Sequence, residues 1–148
     1  MRPTERLLDQ LNRAFGGEAW HGPALRNLLD GITERQAQAH PIEAGHSMLE
    51  LVLHIATWNE VVAKRIGGIE AKSENVDDWT DVSKFSWKQA IERLEKAQSQ
   101  LCDAVARLSS EELDEPAAGL KSSNFTQISG ALQHMAYHAG QIALLKKA

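Results

Sequence analysis

Ser47-Met48-Leu49-Glu50-Leu51-Val52-Leu53-His54-Ile55-Ala56-Thr57-Trp58 starts a helix by its own chemistry. Ser47 stands three residues before Glu50, the spacing at which each side chain satisfies an otherwise orphaned backbone N–H of the first turn. Leu51, Ile55, Trp58, Val62 and Ile66 then recur on one face until Gly67-Gly68 ends the run. One residue conflicts with its surroundings. His54 sits in the middle of an apolar stretch, where its ring nitrogens need partners from another part of the chain.

The same periodicity extends outward from this helix. Downstream, Ser86 and Gln89 repeat the cap, and Trp87, Ile91, Leu94, Gln98, Leu101, Val105 and Leu108 alternate steps of four and three, a bundle seam with one polar lapse. A last helix is predicted from about Asn124 to Lys147, its terminal Lys146-Lys147 pair favoured by the negative end of the helix dipole. Upstream, Leu7, Leu8, Leu11 and Phe15 precede Gly16-Gly17, and Pro23 opens a continuation carrying Leu25, Leu28, Leu29 and Ile32. This arm reads as one kinked helix or two short ones. Residues 69–85 and 109–123 are polar connections, too long for tight hairpins, so an overhand crossing is expected. The fold predicted is all-α, a four-helix bundle forming a single domain over residues 1–148.

The bulk numbers narrow the function. A 148-residue chain with 43% hydrophobic and 24% charged residues can bury a core without disulfides. Its net charge of −4 and scattered basic residues predict no nucleic-acid partner. No apolar run is long enough to span a bilayer and the N-terminus lacks a signal-peptide core, so no membrane association is expected. A lone Cys102 suits a reducing compartment and reads as a small apolar filler beside Leu101. Together these predict a cytoplasmic protein.

The chemistry lies in the histidines. His134 and His138 are four residues apart, about 40° around one helix and one turn along it, so both imidazoles reach a common point. With His54 they form a three-nitrogen donor set from two helices, the composition of catalytic zinc sites that keep a fourth position open. Glu50, one turn before His54, is a candidate to orient it or act as a base, set against its capping role. His21 and His40 lie in connections, and His46 approaches the site only if its loop folds over. A di-iron carboxylate centre is not expected, because the Glu-x-x-His spacing Glu43 to His46 is broken by Gly45 ahead of any helix, and Glu18 to His21 lies in the connection after Gly16-Gly17.

The segment Gly45 to Trp58 resembles the second-helix signature of the DinB-like superfamily, related to the YfiT group of metal-dependent hydrolases. His134-Met135-Ala136-Tyr137-His138-Ala139-Gly140-Gln141-Ile142-Ala143-Leu144-Leu145 resembles that family's last helix, and the layout, with Trp79 in a loop and Trp87 at a helix start, is similar throughout. The resemblance implies an up-down-down-up bundle and a divalent metal held by His54, His134 and His138. It also implies hydrolase or thiol-dependent transferase activity on a small-molecule substrate, with a low-molecular-weight thiol as cosubstrate, and pairing as a homodimer. Met135 stands where relatives often carry an acidic residue. Zinc, or else nickel, suits three imidazoles. Tyr137, Gln141 and Trp58 are pocket candidates. The competing reading is a non-catalytic bundle in which metal, or packed histidines alone, stabilises a dimer.

Overall fold

A computed structural model describes all residues 1–148 and is built from helices. Four are long: α1 (Pro3–Gly16), α4 (Met48–Ile66), α5 (Trp87–Arg107) and α6 (Asn124–Leu145). Two short ones, α2 (Leu25–Leu29) and α3 (Glu34–Gln38), fill the connection between α1 and α4. The first arm therefore separates at the Gly16-Gly17 step. α3, a five-residue helix, has its own Thr33–Gln36 capping box and too few residues for a periodic signal. The caps predicted at Ser47 and Ser86 both form, Ser47 Oγ accepting from the Glu50 amide and Ser86 Oγ from the Gln89 amide.

α4 packs against α5 and α6, and α1 packs against the same two, so α1 and α4 occupy one diagonal of the bundle. Cross-links fix the directions. Thr57 and Glu60 of α4 meet Arg93 of α5, and Asn59 meets Gln98, so these two helices run the same way. α6 opposes α4: Arg65 near the end of α4 bonds Gln127 near the start of α6, while His54 meets His134 further along. The crossing is up-down-down-up.

The core is contributed by all four long helices, with Leu11, Leu53, Ile55, Leu101, Ile128, Met135 and Ile142 wholly enclosed. The first half of α4 is buried on every side, from Leu51 through Thr57, rather than on one face. α3, α5, α6 and the following connection surround it, and a helix enclosed all round can be apolar all round. α4 stops at Gly67-Gly68, where Gly68 takes φ +86°, a left-handed conformation open to glycine. At the chain end Lys146 is the C-cap residue of α6, its amide donating to the Ile142 carbonyl at 2.9 Å. Its ammonium donates to the Leu28 and Asp30 carbonyls, tying α6 to the end of α2. No helix is long and apolar enough to cross a membrane.

Candidate metal centre

His54, His134 and His138 come together, their ligand atoms all within 4.8 Å of one another. Antiparallel packing of α4 on α6 sets His54 opposite the one-turn pair, and the enclosed first half of α4 leaves His54 only 6% exposed. His134 Nε2 lies 2.9 Å from His54 Nε2 and 3.0 Å from His138 Nε2.

The outer nitrogens of two rings are already assigned. His54 Nδ1 lies 2.7 Å from the Asp78 carbonyl oxygen, which can only accept, so Nδ1 carries the proton and Nε2 keeps its lone pair. His138 Nδ1 donates to Gln141 Oε1 at 2.6 Å with the same result. His134 differs: its Nδ1 is buried without a partner within the chain. Burial, then the neighbouring His138 and His54, push the His134 pKa down to about 4. Burial likewise lowers His138, against the opposing hydrogen bond it donates to Gln141. At neutral pH these two rings are uncharged, the form that ligates a cation.

These residues fit a divalent metal. A tetrahedral ion with bonds of about 2.0–2.1 Å holds its nitrogens roughly 3.3 Å apart, a few tenths beyond the two closest separations here. Fixing the far nitrogen of a ligating histidine with a carbonyl or amide is the usual arrangement around such ions. Three nitrogen donors leave one tetrahedral position for water or substrate.

Aromatic rings wall the cluster. Trp79 lies flat on His54, centroids 4.0 Å apart, and flat on His46 at 3.5 Å. The loop before α4 thus does fold over the site, although His46 faces it through Trp79. Trp58 donates its indole N–H to Asp78 Oδ1 at 2.6 Å, Gln141 holds His138, and Tyr137 is largely exposed beside His138. Glu50 does not reach His54. Its carboxylate accepts from the Ser47 amide at 2.7 Å and lies 3.2 Å from His40 and 3.5 Å from His46. Burial would raise the Glu50 pKa, but the Ser47 amide and His40 hold it below the usual carboxylate range. His21 lies in an exposed turn, outside the cluster. Cys102 is no activated thiol, since burial raises its pKa.

Asp78 is the residue that sequence reasoning missed, and Trp79 entered only through resemblance. Both lie in a loop without periodicity, where the adjacent acid and tryptophan are the only signal. A groove of about 1300 Å³ lies elsewhere, between α4 and α5, bordered by Lys64, Arg65, Lys84, Arg93, Lys96 and Arg107 together with several acids.

An up-down-down-up bundle with three histidines converging between its second and fourth long helices defines a recognisable class. A family model described as the DinB superfamily matches residues 19–142, and the chain belongs to that superfamily. Among solved structures, the chain is similar to the colibactin self-resistance protein ClbS in complex with a dsDNA. The TM-score is 0.69 at 19% identity, covering 98% of this chain and 96% of that one, a likeness of fold. No curated protein matches the sequence. The ClbS complex corrects one expectation. The net charge predicts no nucleic-acid partner, yet this fold is seen with duplex DNA in ClbS. A whole-surface sum says little about local clusters of lysine and arginine, which are what phosphates meet.

Proposed function

We propose that the chain is a metal-dependent enzyme, a hydrolase or a transferase using a low-molecular-weight thiol, with His54, His134 and His138 as metal ligands. The observation that carries this reading is the convergence of three imidazole Nε2 atoms, two with their far nitrogens already committed to Asp78 and Gln141. Zinc is the first choice and nickel the second, by the affinity order for nitrogen donors and by abundance. A divalent ion there would keep its charge among neutral ligands and favour the deprotonated form of a bound water or thiol.

The chain's own residues do the rest. Asp78 and Gln141 orient two rings, Trp79 keeps water off one face of His54, and Tyr137 stands exposed beside His138. Glu50 contributes through His40 and His46, which it tethers near the rim. Homodimerisation has a candidate face on α6, which has no Asp, Glu, Lys or Arg and exposes Phe125, Tyr137 and Leu144.

Elemental analysis of protein purified without a nickel column tests the site. Wild type is expected to carry close to one equivalent of metal and His138→Ala far less; under about a tenth of an equivalent in wild type overturns the reading. Metal-loaded protein is then assayed with several thiols and an epoxide or chloroarene. Turnover that survives His54→Ala unchanged removes the metal-activated mechanism, and metal without any turnover supports the non-catalytic bundle. The dsDNA in the ClbS structure and the basic side chains along the α4–α5 groove motivate a second reading, contact with duplex DNA. Retardation of a labelled duplex that weakens steeply with salt supports it, and no retardation at low salt removes it.

A further inference from the structure

We propose that Asp78 is the positioning residue of the metal centre, and that through it the connection of residues 69–85 docks more firmly on cation-loaded protein than on empty protein. This rests on the reading of the three histidines as ligands.

Asp78 touches the site at two levels. Its backbone carbonyl accepts from His54 Nδ1 at 2.7 Å. Its carboxylate Oδ1 accepts from Trp58 Nε1 at 2.6 Å and lies 3.2 Å from the same His54 nitrogen. His54 and Trp58 are one turn apart on α4, so a single residue bridges both from outside the helix. The next residue, Trp79, lies within 3° of parallel on the His54 ring. The imidazole is therefore fixed along one edge and one face, and Nε2 is left aimed at His134. Rotating the ring breaks the carbonyl bond and the stacking together.

The rest of the connection makes Asp78 decisive. Arg65 anchors its beginning by donating to the Ala71 carbonyl and Ser73 hydroxyl. The Ser86–Gln89 cap and the bond from the Trp87 amide to Glu34 anchor the start of α5. Between these anchors, the hydrogen bonds from residues 76–81 to the helices all pass through Asp78; Thr80 and Asp81 bond only within the segment. The middle of the crossing is thus attached by polar contacts at one residue, and that residue selects the His54 tautomer with Nε2 unprotonated. A cation requires that same tautomer. Two events that favour one microstate favour each other, and the coupling is reciprocal.

The test measures Zn²⁺ affinity by competition with a chromogenic chelator, and backbone hydrogen exchange of residues 76–81 with and without Zn²⁺. Losing an outer partner of a ligating histidine typically weakens metal binding by about 10–100-fold. Asp78→Ala keeps the backbone carbonyl but loses the carboxylate that holds the Trp58 indole and lies 3.2 Å from His54 Nδ1, and is expected at the low end, about tenfold. Asp78→Asn keeps an oxygen acceptor for the Trp58 indole and is expected within about threefold of wild type. Trp58→Phe removes the same hydrogen bond from its other end, and the double variant with Asp78→Ala should be no weaker than Asp78→Ala alone. In wild type Zn²⁺ should slow exchange across residues 76–81, and in Asp78→Ala it should not. If Asp78→Ala fails to fold, Trp58→Phe and Asp78→Asn give the answer. Zn²⁺ affinity unchanged by Asp78→Ala or Trp58→Phe, or exchange indifferent to Zn²⁺ in wild type, overturns the proposal while leaving the ligands standing. A wild-type protein that binds no Zn²⁺ overturns the ligand reading itself.

Discussion

Acidifying the metal-free protein should weaken it through its buried histidines, and the share of His134 can be isolated by substitution. The folded pKa of His134 is held near 4 by burial and by His138 and His54, against about 6.5 when unfolded. Because the folded value is the lower one, the unfolded chain takes up a proton first as pH falls. Folding stability is therefore full above pH 6.5, is lost between 6.5 and 4, and levels off below. At pH 4.5 the unfolded site is almost fully protonated and the folded one mostly not, so the loss relative to pH 7 is at most about 2.5 kcal/mol, and about 1–2 kcal/mol once solvent screening of this half-buried ring is allowed for. Urea unfolding in the presence of a chelator, followed by circular dichroism at half-unit steps of pH, measures it. Carboxylates also titrate in this window, so the quantity compared is wild type minus His134→Gln, which cannot ionise. The two curves should converge as pH falls. Curves that stay parallel from pH 7 to 4.5 refute the claim that this ring is kept neutral by its surroundings.

Three further perturbations probe the bundle. Ser47→Ala removes the acceptor for the Glu50 amide and should cost about 1 kcal/mol in urea unfolding. Leu101→Ala empties a fully enclosed position and should cost about 3 kcal/mol, seen as a lower denaturation midpoint at unchanged slope. Gly119→Ala meets a φ of +74° and places its Cβ 3.0 Å from the Glu70 side chain, so the melting temperature should fall by an amount equivalent to about 1–2 kcal/mol.

Much of the architecture was legible because it is written in local rules. A serine three residues before a glutamate or glutamine marked the starts of α4 and α5, and a seam from Trp87 to Leu108 marked a bundle. His134 and His138 were a pair by helical arithmetic alone, and His54 stood out as a polar residue with no place in an apolar run. What stayed hidden depends on chain segments distant in sequence. Asp78 meets His54 across 24 residues, and a carbonyl contact leaves no trace in side-chain pattern. His46 reaches the site only through the Trp79 ring. Glu50 could be given two roles from its spacing, and the structure places it with Ser47, His40 and His46. Net charge was poor ground for excluding nucleic acid because it averages over the whole surface, and the ClbS fold is seen with dsDNA.

Since α4 and α5 point the same way, the chain between them has to travel back along the whole bundle before α5 can begin. That return journey happens to pass the histidines. Lengthening such a passage is entropically cheap, about 0.6 kcal/mol for each doubling. Its length can therefore change between the Arg65 anchor and Asp78, reshaping the ground beside the trio while the ligands on α4 and α6 keep their positions. The topology separates the part that would hold the ion from the part that would choose its company.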